Sequence, residues 1–164
     1  MRPRAAILDP NPCGRESIVR GARLWCGHMN DTLKERLGLL GQHGYDRSLV
    51  GMEVLEAEGG RARVRLPVEA PVQNMGGALH GGAVATLVDV VGTLAIMTAD
   101  RDGRPGVSTD LNVSWLAPAP GGSAVLVEAT VLKSGRTLAF VQVDVRRETD
   151  GVLVAQGRMT KFLS

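Results

Sequence analysis

The chain has 164 residues, 44% hydrophobic and 22% charged, which fits one domain of ordinary size with a modest extension and excludes a disordered polymer. A net charge of +2, from 19 basic and 17 acidic residues, and only 3% aromatic residues argue against nucleic acid as a partner. No apolar run reaches the roughly 18 residues of a membrane span, because Asp89, glycines and threonines interrupt the longest one, Gly81 to Ala99.

Cys13 and Cys26 both lie at the front of the chain. No disulfide or thiolate framework therefore supports the main body, and a reduced intracellular compartment is the simplest reading. Residues 1–28 carry five arginines against Asp9 and Glu16. That composition belongs either to an organelle transit peptide or to a poorly ordered tail. Pro3, Pro10 and Pro12 disfavour a helix at the very start, while Glu16 to Trp25 leaves room for a short amphipathic one. The last residues, Phe162-Leu163-Ser164, are not a peroxisomal signal, so any address would sit at the front and the expected location is cytosolic or mitochondrial. Between Asn30 and Leu40, Leu33, Leu37 and Leu40 recur at helical spacing and predict a short amphipathic helix. We take residues 1–45 as an N-terminal extension and residues 46–164 as the folded domain.

Leu49 to Ala57 reads as a strand, and Gly59-Gly60 as a hairpin turn. Arg61, Arg63 and Arg65 then alternate with Ala62, Val64 and Leu66, the period of a strand half in water. The arginine face is read as solvated, with attraction of an anionic ligand as the lesser alternative. A loop with Pro71, Asn74, Gly76 and Gly77 precedes a predicted helix from His80 to Ala99. That helix is apolar on nearly every face, which predicts burial on all sides. Four strands follow: Val107 to Ala117, Ala124 to Lys133, Leu138 to Arg147 and Val152 to Phe162, with turns at Pro118–Gly122, Ser134–Arg136 and Asp150-Gly151. Two strands, one buried helix and four strands fit an α+β domain in which an antiparallel sheet wraps the helix.

Asp89 lies between Val88 and Val90 in the most apolar segment. An ionised carboxylate there needs hydrogen-bond donors or must face a cleft, so it is either a satisfied core residue or a functional one. His80-Gly81-Gly82 opens the helix, where free N–H groups and positive partial charge suit a carbonyl oxygen becoming an oxyanion. Asn74, just before, offers a side-chain N–H donor, and His80 alone reads more readily as a capping or packing residue than as a catalyst. No Gly-x-Ser-x-Gly elbow is present, and His28, His43 and His80 are too scattered for a metal site. Neither a Walker loop nor a dinucleotide fingerprint occurs, and no cofactor is expected. What remains suits water attacking an activated acyl group.

Asn74-Met-Gly-Gly-Ala-Leu-His80-Gly81-Gly82, followed by Ala85-Thr86-Leu87-Val88-Asp89, resembles the hotdog-fold acyl-CoA thioesterases of the phenylacetate-pathway type. Gly106-Val107-Ser108, Asp110-Leu111-Asn112, Leu132-Lys133, Thr137-Leu138-Ala139-Phe140 and Ala155-Gln156-Gly157-Arg158 extend the likeness, which runs from about residue 30 to the end. The resemblance implies a hotdog fold, with a curved antiparallel sheet around one long helix. It implies an acyl-CoA substrate, a homodimer with active sites at its interface, and a homotetramer built from such dimers. Asp89 and Ser108 would orient and activate water, with Asp89 acting either as general base or as nucleophile. Gly81 N–H and Asn74, from the other subunit, would polarise the thioester carbonyl, and His80 would support that loop. Trp115, Leu116, Ala117 and Pro118, together with Lys133, Ser134, Gly135, Arg136, Thr137 and Leu138, would line the substrate tunnel. Lys133 and Arg136 would lie near phosphates. Trp115 stands where a Tyr is expected and Pro120 where a Lys is expected. Two other readings remain: a hotdog dehydratase or hydratase, for which only His80 is available as the histidine, and a non-catalytic acyl-CoA-binding module, which has no need of a buried base.

Overall fold

The computed structural model describes residues 17–19, 22–24 and 44–163. Near the front, β1 (Ser17–Val19) pairs antiparallel with β2 (Ala22–Leu24), in place of the helix allowed for Glu16 to Trp25. The β-branched pair Ile18-Val19 favours the extended state there. The helix expected over Asn30 to Leu40 lies outside the described residues.

From residue 44 the chain follows the predicted order. A 3₁₀ turn (Gly44–Leu49) precedes β3 (Glu53–Glu58) and β4 (Arg61–Pro67). Another short 3₁₀ turn (Ala70–Val72) leads to α1 (Gly81–Ala99). Then come β5 (Val107–Trp115), β6 (Ala124–Ser134), β7 (Leu138–Arg147) and β8 (Leu153–Phe162). The strand expected from Leu49 begins only at Glu53. Leu49 is fully buried as the end of the 3₁₀ turn, Met52 N–H closes onto its carbonyl at 3.1 Å, and Gly51 turns the backbone at φ +87. Gly59 and Gly60 both have positive φ, +54 and +82, as a two-residue hairpin of the primed type requires.

The six strands β3 to β8 form one antiparallel sheet in the order β3-β4-β6-β7-β8-β5. Ala62, Val64 and Leu66 of β4, Val125, Val127 and Ala129 of β6, and Val141, Val143 and Val145 of β7 turn inward and are buried. On the outer face Arg63 pairs with Glu128 at 3.2 Å, and Arg65 grips Glu148 with two bonds of 2.8 and 3.0 Å. Two of the three arginines thus meet carboxylates, one from the neighbouring strand and one from the turn after β7, which fits the solvated reading.

Helix α1 packs against all six strands of this sheet. By length and hydropathy it would suffice to cross a bilayer, yet Val84, Leu87, Val88, Val91, Leu94, Ala95 and Ile96 are all buried under the sheet. Each Val, Leu or Ile side chain among them contributes about 1.5–3 kcal/mol when fully buried. This is the hotdog arrangement. Two glycines set how closely helix and sheet approach. A Cβ at Gly92 of α1 would stand 2.7 Å from Met159 Cε, and one at Gly157 of β8 would stand 2.6 Å from Val88 Cγ1. Gly157 therefore fixes the height of the helix turn that carries Asp89. Replacing Gly157 by Ala should overpack this contact and lower stability by about 1–3 kcal/mol in denaturant unfolding. An unchanged midpoint would show that Val88 can move aside freely.

Candidate active site

The helix that must be buried carries one charged residue, Asp89, and the sheet supplies its partners. The Ser108 hydroxyl on β5 donates to Asp89 Oδ1 at 2.6 Å. Lys161 on β8 brings Nζ to 3.6 Å from the same oxygen. That distance makes an ion pair and is too long for a hydrogen bond. The Asp89 side chain is 45% exposed and that of Lys161 only 7%. The carboxylate therefore opens to solvent on one side and rests on a buried cation on the other. β5 and β8 put Ser108 directly across from Lys161, and a bulge follows at once, between Ser108 and Asp110. Bulges re-aim side chains, and this one sits where the strand turns the Ser108 hydroxyl onto the helix.

A second cluster gathers at the start of α1. His80 is the N-cap, its backbone extended and its Nδ1 accepting the Gly82 N–H at 2.8 Å. The cap engages Gly82 and leaves the preceding Gly81 N–H without a protein acceptor among the described residues. Asn74 Oδ1 accepts from the N–H groups of Gly76 (2.9 Å) and Ala78 (3.2 Å). Its carbonyl oxygen is thus spent on the turn, and its NH₂ group remains as an outward donor. Leu79 N–H donates to Ala119 O at 2.8 Å, which ties this loop to the turn that follows β5. Trp115 closes the cluster: a Cβ at Gly81 would lie 3.4 Å from its indole Nε1. Leu116 and Ala117 N–H both donate to Val154 O, holding Trp115 to Pro118 against β8.

Two groups of expected site residues therefore form, and one chain does not bring them together. Asp89 is eight residues into α1 from Gly81, roughly 12 Å along the axis. The hairpin of Lys133 to Leu138 belongs to the Asp89 end of the sheet. Leu138 is in register with Phe162, which is in register with Val107 beside Ser108. Gly135 N–H donates to Leu138 O, and Thr137 O accepts from Leu163 N–H, both at 2.8 Å. Lys133 and Arg136 are exposed at this tip, Ser134 and Thr137 beside them. Among the described residues no three His, Cys, Asp or Glu side chains stand close enough to hold a metal ion.

Residues 76–154, which include Gly81, Asp89 and Ser108, match the thioesterase superfamily. The mouse (Mus musculus) acyl-coenzyme A thioesterase 13 is 43% identical over 120 residues, 73% of this chain and 85% of that protein. The chain belongs to the thioesterase superfamily. Among solved structures, this thioesterase-superfamily chain is similar to zebrafish thioesterase superfamily member 2, with a TM-score of 0.76 and 46% identity over 81% of this chain and 96% of that one. It is also similar to a mutant of the phenylacetic acid degradation protein PaaI from Thermus thermophilus, with a TM-score of 0.64 and 30% identity over 72% of this chain and 96% of that one.

Lys161 is the site residue that sequence reasoning missed. The signal was there: on β8, Ala155, Gly157 and Met159 face the core, and period two carries that face on to Lys161. Burial pushes its ammonium below the ordinary lysine value of 10.5, and Asp89 partly offsets the shift. The unfolded chain therefore keeps this proton to higher pH than the native one. Lys161 lowers native stability at neutral pH, and the penalty fades as pH rises toward 10.5. Asp89→Asn removes the offset. The variant should melt below the parent at pH 7, and the gap should narrow toward pH 10.5 in thermal unfolding. A gap independent of pH would contradict the coupling.

Proposed function

We propose that this protein hydrolyses acyl-CoA thioesters to the free acid and coenzyme A, using water activated at Asp89. The observation that carries the reading is the 2.6 Å bond from the Ser108 hydroxyl to the half-exposed Asp89 carboxylate, set on the buried helix α1. Such a carboxylate is reached by water on one face and held rigidly on the other, as a general base needs. The relatives named acyl-coenzyme A thioesterase 13 support the substrate class.

The Asp89 carboxylate takes a proton from water as the water oxygen attacks the thioester carbonyl carbon. The developing oxyanion meets Gly81 N–H and the Asn74 amide of a second subunit, where the free donors and the helix dipole stabilise charge that exists only in the transition state. The carbon–sulfur bond then breaks, and the coenzyme A thiolate leaves and takes up a proton. The 12 Å or so between the two clusters in one chain is why two subunits are required. A homodimer with shared sites would meet that division of labour, and a homotetramer of such dimers is what the family resemblance implies. Trp115 to Pro118 flank the carbonyl end of the substrate. At the hairpin tip Lys133 and Arg136 offer cations, with Ser134, Gly135, Thr137 and Leu138 between and beside them, to coenzyme A phosphates. Residues 46–164 form the catalytic domain, and residues 1–45 are an extension outside the chemistry.

Thiol release from a panel of acyl-CoA substrates tests the reading. Asp89→Asn, assayed below its melting temperature, should lower kcat by about 10²- to 10⁴-fold. Near-parental kcat in the folded variant would remove Asp89 from the reaction. A parent that binds acyl-CoA but releases no thiol would instead make the protein a binding module.

A further inference from the structure

Lys161 is the one buried charged residue among those described, 5% exposed, in a position that the alternation of β8 would fill with an apolar side chain. Its stem is covered from the turn before β5: a Cβ at Gly106, where φ is +63, would lie 3.3 Å from Lys161 Cβ and 2.6 Å from Phe162 O. A desolvated ammonium of this kind lowers stability unless something answers it. Among the described residues only Asp89 does, through an ion pair at 3.6 Å in which its own side chain is nearly half exposed.

Both protein contacts of this carboxylate fall on one oxygen. Ser108 Oγ donates to Oδ1, Lys161 Nζ comes nearest to that same oxygen, and among the described residues no hydrogen bond reaches Oδ2. A carboxylate anchored by one oxygen loses rotation about χ2 and presents the other oxygen in a fixed direction. We propose that Lys161 is a positioning residue of the hydrolytic site, pinning Asp89 Oδ1 together with Ser108 so that Oδ2 faces the attacking water. This rests on the hydrolase reading above. It explains a buried amine that the fold does not need. It also explains why Ser108 and Lys161 stand in register directly before the β5 bulge.

The stability consequence separates this role from a structural one. Removing one member of a fully buried pair strands a charge, but Asp89 keeps its access to water when Lys161 is removed. Lys161→Met should therefore melt at or above the parent temperature, because it replaces a desolvated ammonium with an apolar side chain of similar length. The same variant should lower kcat about tenfold to a hundredfold, as slight misplacement of a reacting group does, with KM within about threefold of the parent. Added to Asp89→Asn, it should cost no further rate, since its effect passes through the carboxylate.

The experiment measures kcat, KM and melting temperature for the full chain, Lys161→Met, Asp89→Asn and the double variant. The substrate is the best one from a panel running from acetyl-CoA to palmitoyl-CoA. A parent that releases no thiol would overturn the hydrolase reading itself, and an active Asp89→Asn would overturn the role of Asp89 on which this inference rests. An inactive Asp89→Asn beside a Lys161→Met with parental kcat would overturn only the role of Lys161. So would a Lys161→Met that fails to fold or melts well below the parent, or an equal loss of rate in both backgrounds.

Discussion

The rest of the structure depends on covering a helix that is apolar on every side. α1 cannot be left at a surface, so six strands close over it, and the sheet order β3-β4-β6-β7-β8-β5 follows from the need to reach round it. Within that constraint Asp89 is a deliberate exception. A single carboxylate in such a helix persists only because Ser108 and Lys161 meet it from two neighbouring strands and because one side of it reaches solvent. The two close contacts at Gly92 and Gly157 then matter beyond packing, since they set the height of the helix above β8, where Lys161 resides.

The same helix separates the two halves of the proposed chemistry. Its N-terminus holds the Gly81 N–H, which has no protein acceptor among the described residues, and the capping of Gly82 by His80 at the exit of the Asn74 loop. Its middle holds the proposed base, Asp89. A helix is stiff, so the roughly 12 Å between them cannot be closed within one chain. β5 is an edge strand, and Val107, Leu111 and Trp115 on it are exposed among the described residues. An uncovered edge with apolar side chains is a surface that a second copy of the chain can cover, and on the proposed reading that copy also brings the missing donors.

Much of this was legible in the sequence because it rests on local pattern. Period two placed β4 to β8 to within two residues, and the all-round apolar run placed α1 to within one. The capping role of His80 could be read from its place before Gly81-Gly82. The late start of β3 could not, because Leu49 looks like a strand residue until the positive φ of Gly51 forces a turn. The contact of Ser108 with Asp89 was implied by the family resemblance alone, since nineteen residues separate them and only the sheet closes the distance. Lys161 escaped because a lysine in a strand is read as solvent-facing unless the phase of its neighbours is followed to the end.

On the proposed mechanism, one working site needs Asp89 from one chain and Asn74 from another. Subunit complementation tests it most directly. Purified Asn74→Ala and Asp89→Asn chains, each inactive alone, are mixed, and subunit exchange is demonstrated by mass spectrometry of differently tagged chains. With random exchange, half of the dimers are mixed and each has one intact site, so about a quarter of the parental thioesterase activity should return. Full exchange with no recovered activity would contradict a site shared between subunits.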